Sequence, residues 1–125
     1  MKTKILMLFA LTFLGVSVMA NAPASAKFSW SMTNYDFGVI PVNKPATATF
    51  NFVNEGEAPL VISQVKAGCG CTVASYTREA IPPGASGTVE ATYNAAKVGA
   101  FNKSVVVYAN TEGEPIVLRL KGTVQ

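Results

Sequence analysis

The 125-residue chain contains no histidine. That absence removes the Ser-His-Asp and Cys-His pairs used in much nucleophilic catalysis. It also leaves a zinc ion two cysteines where a structural site needs four ligands. Those two, Cys69 and Cys71, are the only cysteines in the chain, and one glycine separates them. Charged residues make up 14% of the sequence and form no basic run, which excludes nucleic acid as a partner. Beyond the first twenty residues no segment carries a helical period, and none approaches the roughly 20 apolar residues of a membrane span.

What opens the chain is a leader. Lys2 and Lys4 precede an apolar stretch from Ile5 to Val18, interrupted only by Thr12, Gly15 and Ser17. That is the length of a signal-peptide core and short for a helix crossing a bilayer. Val18-Met19-Ala20 predicts a signal peptide over residues 1–20 with cleavage after Ala20, and Ala24-Ser25-Ala26 offers the alternative after Ala26. No cysteine lies near either site, so the expectation is an exported protein, periplasmic or extracellular, and not a lipoprotein. Ten lysines and arginines less the two in the leader leave eight against seven acids, a mature charge of only +1. Much of the chain's apparent basicity therefore belongs to its leader.

The remaining residues, 27–125, suit one domain, and their pattern has period two almost throughout. Phe28, Trp30 and Met32 alternate with serines and a threonine; Ala46, Ala48, Phe50 and Phe52 alternate with polar residues until the Asn54-Glu55-Gly56-Glu57 turn. Tyr35–Ile40 predicts a strand with a bulge at Gly38, and Leu60–Val65 another. Val73–Tyr76 predicts a short edge strand and Val105–Ala109 a central one. Val89, Ala91 and Tyr93 share one face, as do Ile116, Leu118 and Leu120. About seven short strands with regular turn signals predict an all-β immunoglobulin-like sandwich, with a small closed barrel as the alternative. Trp30, Phe37, Phe50, Phe52, Tyr93 and Tyr108 are the bulky residues expected to fill the core.

Chemistry concentrates at Cys69-Gly70-Cys71. Two cysteines in an exported chain point first to a disulfide. At this spacing the closed loop is too small to stabilise much by chain entropy, so the bond is a poor staple, better suited to redox exchange or local shape. Gly68, Gly70 and Thr72 would then shape the bend, and Lys66 is the nearest cation in sequence. Cu(I) is a second option for a thiolate pair, with Met32 the one thioether left after cleavage. No other cofactor and no other metal is expected. Glu55 and Glu57, and Glu112 and Glu114, read as solvated turn residues rather than paired catalytic carboxylates. Asn102-Lys103-Ser104 matches a glycosylation sequon, and Trp30 and Tyr76 are candidates for a carbohydrate-binding surface.

Several segments together resemble one family. Tyr35-Asp36-Phe37-Gly38-Val39-Ile40, Phe50-Asn51-Phe52-Val53-Asn54-Glu55-Gly56 and Pro59-Leu60-Val61-Ile62 come first. Gly68-Cys69-Gly70-Cys71-Thr72, Ile81-Pro82-Pro83-Gly84 and Leu120-Lys121-Gly122-Thr123-Val124 continue the match. The chain resembles the DUF1573 family of exported bacterial proteins over essentially its whole mature length. That family is similar to the immunoglobulin-like domains of the ASPM/SPD-2/Hydin and PapD-like group, which favours the sandwich over the barrel. Gly68 departs from the serine more usual at its position. The expected function is a non-enzymatic binding or structural module of the cell envelope, engaging an envelope protein through a sheet edge or loops. The alternative is a thiol-redox or Cu(I)-binding protein using Cys69 and Cys71. The sequence leaves the oligomeric state open.

Overall fold

Alternating apolar and polar residues become eight strands in the computed structural model, which describes residues 24–125. They are β1 (Phe28–Trp30), β2 (Asn34–Ile40), β3 (Ala46–Asn54), β4 (Ile62–Ala67), β5 (Thr72–Tyr76), β6 (Ser86–Tyr93), β7 (Gly99–Ala109) and β8 (Ile116–Val124). The leader read over residues 1–20 lies outside the described residues. None of the described residues forms a helix long and apolar enough to cross a membrane.

The strands divide into two four-stranded sheets, ordered β1-β3-β6-β5 and β2-β8-β7-β4. Two separate sheets make a sandwich, not the closed barrel held as the alternative. The two strands read before Pro41 fall in different sheets: Asn34–Ile40 pairs in parallel with β8, whereas Phe28–Trp30 pairs with β3. The ladder slips between Asp36 and Val39, where Gly38 adopts a φ of 70° and takes up the predicted bulge.

The core follows the alternation. Ala48, Phe50 and Phe52 of β3 face Val89, Ala91 and Tyr93 of β6 and, across the sandwich, Val105, Val107, Leu118 and Leu120. Tyr108, expected in the core, is 37% exposed instead. The continuous apolar run Val105–Ala109 still obeys period two: Val105, Val107 and Ala109 turn inward, and among the described residues no element covers the outer face of that sheet. Trp30 and Phe37 lie partly buried at the flank where β1 and β2 end the two sheets. Leu60 is fully buried ahead of β4, held in an isolated bridge with Ile81.

One end of the sandwich is sewn shut by a polar residue in an apolar position. Asn54 continues the inward series of Phe50 and Phe52 and is completely buried. Its Nδ2 donates to the carbonyls of Ala58 (2.8 Å) and Ile81 (2.9 Å), and its Oδ1 accepts from the amides of Gly56 (2.9 Å) and Lys27 (3.2 Å). The same end holds residues ahead of β1. Ala26 is buried and bridges Thr111, while the Ser25 carbonyl accepts the amides of Glu57 (2.9 Å) and Ala58 (3.4 Å). Gly56 permits this approach: a Cβ there would collide with the backbone of Ser25, Ala26 and Lys27.

Candidate functional site at the cystine corner

The link from β4 to β5 carries the chain from one sheet to the other along a single flank, and the tripeptide forms that corner. Cys69 and Cys71 are joined as a disulfide with Cα atoms 5.3 Å apart. Both are partly exposed, and the adjoining Gly68 and Gly70 are exposed. The corner is tied to the body by three backbone bonds: Gly68 N–H to Ser104 O (3.1 Å), Asn94 N–H to Cys71 O (2.9 Å) and Thr72 N–H to Cys69 O (3.4 Å). Thr72 is buried, and its Oγ1 stands 3.9 Å from Cys69 Sγ and 4.0 Å from Cys71 Sγ.

The glycines do not shape the bend by conformational freedom. Neither Gly68 nor Gly70 has a positive φ. A Cβ at Gly68 would make ordinary contact with Ser104 at 3.6 Å, and one at Gly70 would meet nothing within 4 Å. Both glycines are exposed, and a side chain at Gly70 would stand in open space. Gly70→Ala is therefore expected to change stability by less than about 0.5 kcal/mol, as for a surface substitution. Thermal denaturation together with a free-thiol count checks this; a fall beyond that range would show that the corner needs glycine.

Lys66, the cation nearest in sequence, lies on the exposed outer face of β4 opposite Val106. A different lysine has the better position. The β4–β7 register pairs Ala67 with Val105, and the Gly68–Ser104 hydrogen bond carries it one step further. Lys103 is the next residue of β7 beyond Ser104, on the side where the chain turns into the cystine corner. Lys103 falls on the core-facing side of β7, between buried Phe101 and Val105, and is itself half-buried. Sequence reasoning passed over it because a lysine inside a sequon reads as solvent-facing.

The other sequence candidates lie apart from the corner. Met32 follows β1, and β1 and β5 are opposite edges of one sheet. Three strand spacings of about 4.8 Å separate them, so Met32 cannot complete a Cu(I) site with the cysteines. Among the described residues no three metal-binding side chains of the His, Cys, Asp and Glu types cluster. Glu55, Glu57, Glu112 and Glu114 all occupy exposed loops at the end opposite the corner. There Glu112 and Glu114 line a cleft of about 480 Å³ with Lys27 and Phe28. Trp30 is engaged by Phe28 and Phe52, at 4.8 and 4.9 Å between ring centroids, and Tyr76 lies under the Arg78 guanidinium at 4.7 Å. Trp30 also lines a groove of about 350 Å³ with Phe52 and Asn51, at the opposite edge of the sheet from Tyr76.

The flank bearing the cystine also exposes a sheet edge. The amides of Asn94 and Thr77 donate to Cys71 and Thr88 at the two ends of the β5–β6 ladder. Antiparallel alternation then sends the backbone groups of Ala74 and Tyr76 outward, away from β6. Natural edges are blunted by charge, proline or bulges. β5 has none of these: its sequence is Thr-Val-Ala-Ser-Tyr, its register is unbroken, and Val73 is 69% exposed. By contrast β2 is bulged, β4 is irregular and carries Lys66, and β1 spans three residues.

Known structures share this architecture. A protein of unknown function from Porphyromonas gingivalis W83 superposes with a TM-score of 0.71 at 18% identity over 86% of this chain, which spans about half (51%) of that protein. The ASH/PapD-like domain 7 of human CEP192 matches at a TM-score of 0.67 and 11% identity, covering 100% of this chain and 96% of that domain. The Vibrio cholerae VesB protease contains a similar region, with a TM-score of 0.60 and 12% identity over 81% of this chain and 32% of the protease. At such identities the likeness is one of fold. A search of the curated proteins finds no match. The sequence itself is decisive: the model of the family described as protein of unknown function (DUF1573) matches residues 28–124, and this chain, an immunoglobulin-like sandwich with a cystine at one corner, belongs to that family.

Proposed function

We propose that this chain is an exported, non-catalytic module that holds an envelope protein by adding an extended segment of it to the β5 edge. The observation that carries the reading is that β5 alone among the four sheet edges combines five regular residues with no charge, proline or bulge. Strand addition takes its affinity from main-chain hydrogen bonds and its selectivity from side chains that alternate along the edge, here Val73 and Ser75.

The test exploits the direction of the Ala74 amide. Ala74→Pro removes an outward donor without touching the β5–β6 ladder, which proline tolerates at an edge. Val73→Lys places a charge on the same edge. Both variants are expected to fold and to lose the proteins that the wild type captures from envelope extracts. Val39→Lys on the bulged β2 should capture them unchanged. Equal capture by all three variants would remove the β5 edge as the docking site.

Processing bears on the same function, because Ser25 and Ala26 belong to the folded body. The mature chain is expected to begin at Asn21, as an intact mass of the exported protein would show. A chain starting at Lys27 would lose the Ala26–Thr111 bridge and both bonds to the Ser25 carbonyl. At about 1 kcal/mol per hydrogen bond it should be about 2 kcal/mol less stable. An observed start at Lys27 would overturn the expectation.

A further inference from the structure

The cystine and the open edge are neighbours in the chain: Cys71 immediately precedes Thr72, the first residue of β5. A segment paired along β5 and continuing past Thr72 arrives at the level of Cys71. The corner is exposed at Gly68 and Gly70, and a side chain at Gly70 would stand in open space. Beneath the corner stand two groups able to receive negative charge on sulfur. The Thr72 hydroxyl lies 3.9 Å from Cys69 Sγ and 4.0 Å from Cys71 Sγ, and Lys103 lies on the inner side of β7 next to Ser104, whose carbonyl accepts the Gly68 amide. Five of the seven acids, Glu55, Glu57, Glu79, Glu112 and Glu114, lie in loops of the other end, and Asp36 lies on β2 at the opposite flank; Glu90 stands on β6 opposite Ser75, beside the docking strand rather than at the corner.

From this juxtaposition we infer that Cys69–Cys71 is a thiol–disulfide exchange site whose substrate is a cysteine-bearing extended segment docked on β5. The inference rests on the β5 reading and gives its partner a chemistry. The segment's thiolate attacks Cys71 Sγ in line with the Sγ–Sγ bond. A mixed disulfide forms on Cys71, and the bonding pair leaves on Cys69 Sγ as a thiolate, which accepts a proton from solvent. Thr72 donates a hydrogen bond to that leaving sulfur and Lys103 balances its charge, and a better-stabilised leaving thiolate departs faster. A second thiol of the same partner then attacks its own sulfur in the mixed disulfide. Cys71 is released as a thiolate, and the partner has lost the two electrons that the cystine gained. The turnover is single unless another disulfide reoxidises the pair.

The experiment uses the oxidised mature protein with three probes. One is reduced glutathione, and the second is a synthetic peptide of alternating Val and Thr ending in one cysteine. The third is the same peptide ending in serine. After quenching with an alkylating agent, tandem mass spectrometry is expected to find the added thiol on Cys71 and the alkyl group on Cys69. The cysteine peptide should react about tenfold faster than glutathione, and Ala74→Pro should erase that advantage while leaving the glutathione rate unchanged. Thr72→Val and Lys103→Met are each expected to slow both reactions by roughly fivefold, about one hydrogen bond's worth, while Lys103→Arg restores the rate. Melting curves show whether the variants fold.

A cystine that neither thiol opens, or a mixed disulfide on Cys69, would overturn the exchange proposal. Binding of the serine peptide, read by fluorescence anisotropy, reports on β5 alone. If it binds to a cystine that stays closed, the docking reading survives and the exchange site does not. If glutathione opens the cystine on Cys71 and neither peptide gains from the edge, the exchange site stands and the docked substrate falls.

Discussion

Asn54→Ala is expected to lower stability by about 3 kcal/mol, equivalent to roughly 12–24 °C in Tm for a domain near this size. The side chain is wholly buried and satisfies four backbone groups from three separate segments. Alanine leaves the amides of Lys27 and Gly56 and the carbonyls of Ala58 and Ile81 without that partner; all but the Ile81 bond are only partly buried, so water can recover part of the loss. Buried groups left unpaired cost about 1–3 kcal/mol each, so even partial recovery keeps the effect large. Asn54→Asp should also destabilise, since a carboxylate has no N–H to offer Ala58 or Ile81 and would bury a charge. Urea titration of the three proteins measures this. A loss under about 1 kcal/mol in the alanine variant would show that the closed end does not depend on Asn54.

Phe52→Ala is expected to cost about 3–5 kcal/mol, a large part of the about 5–15 kcal/mol that such domains possess. Phe52 is 1% exposed and carries the rings of Phe28, edge-on at 4.8 Å, and Trp30, tilted at 4.9 Å. These rings close the β1 flank, where the Trp30 Nε1 is buried without a hydrogen-bond partner. Removing Phe52 therefore opens a cavity and lets water reach a flank already short of polar bonds. Phe52→Leu keeps most of the volume and should cost less than about 1.5 kcal/mol. Thermal unfolding distinguishes the two variants. Similar, small losses for both would mean that β1 holds independently of the ring.

Both predictions concern positions the sequence made partly visible. Asn54 stands two residues beyond Phe52 in a perfect alternation, and a polar residue at an inward position is itself a signal of a buried network. Its partners were not readable, because Lys27 and Ile81 each stand 27 residues from Asn54 along the chain. Tyr108 shows the opposite failure. An apolar run tells that a strand exists, but whether its second face is covered depends on which other elements pack there.

The local part of this molecule was determined by sequence: the bulge at Gly38, the turns, the sandwich class and the strand positions, apart from residues 99–104, which extend β7 ahead of the apolar run that marked it. Period-two patterning acts between near neighbours and survives any global arrangement. The tripeptide was legible as the chemical centre for the same reason, since composition alone marks it out. Val73–Tyr76 was legible as an edge strand, and β5 is one; that the other three edges are bulged, irregular or short was a matter for the tertiary structure. So was the choice of lysine: Lys66, near in sequence, faces solvent on the outer side of β4, while Lys103, thirty-odd residues away, adjoins Ser104, which holds the Gly68 amide at the corner. Strand register between distant segments is set by the packing of the whole core, which no local stretch of the chain contains.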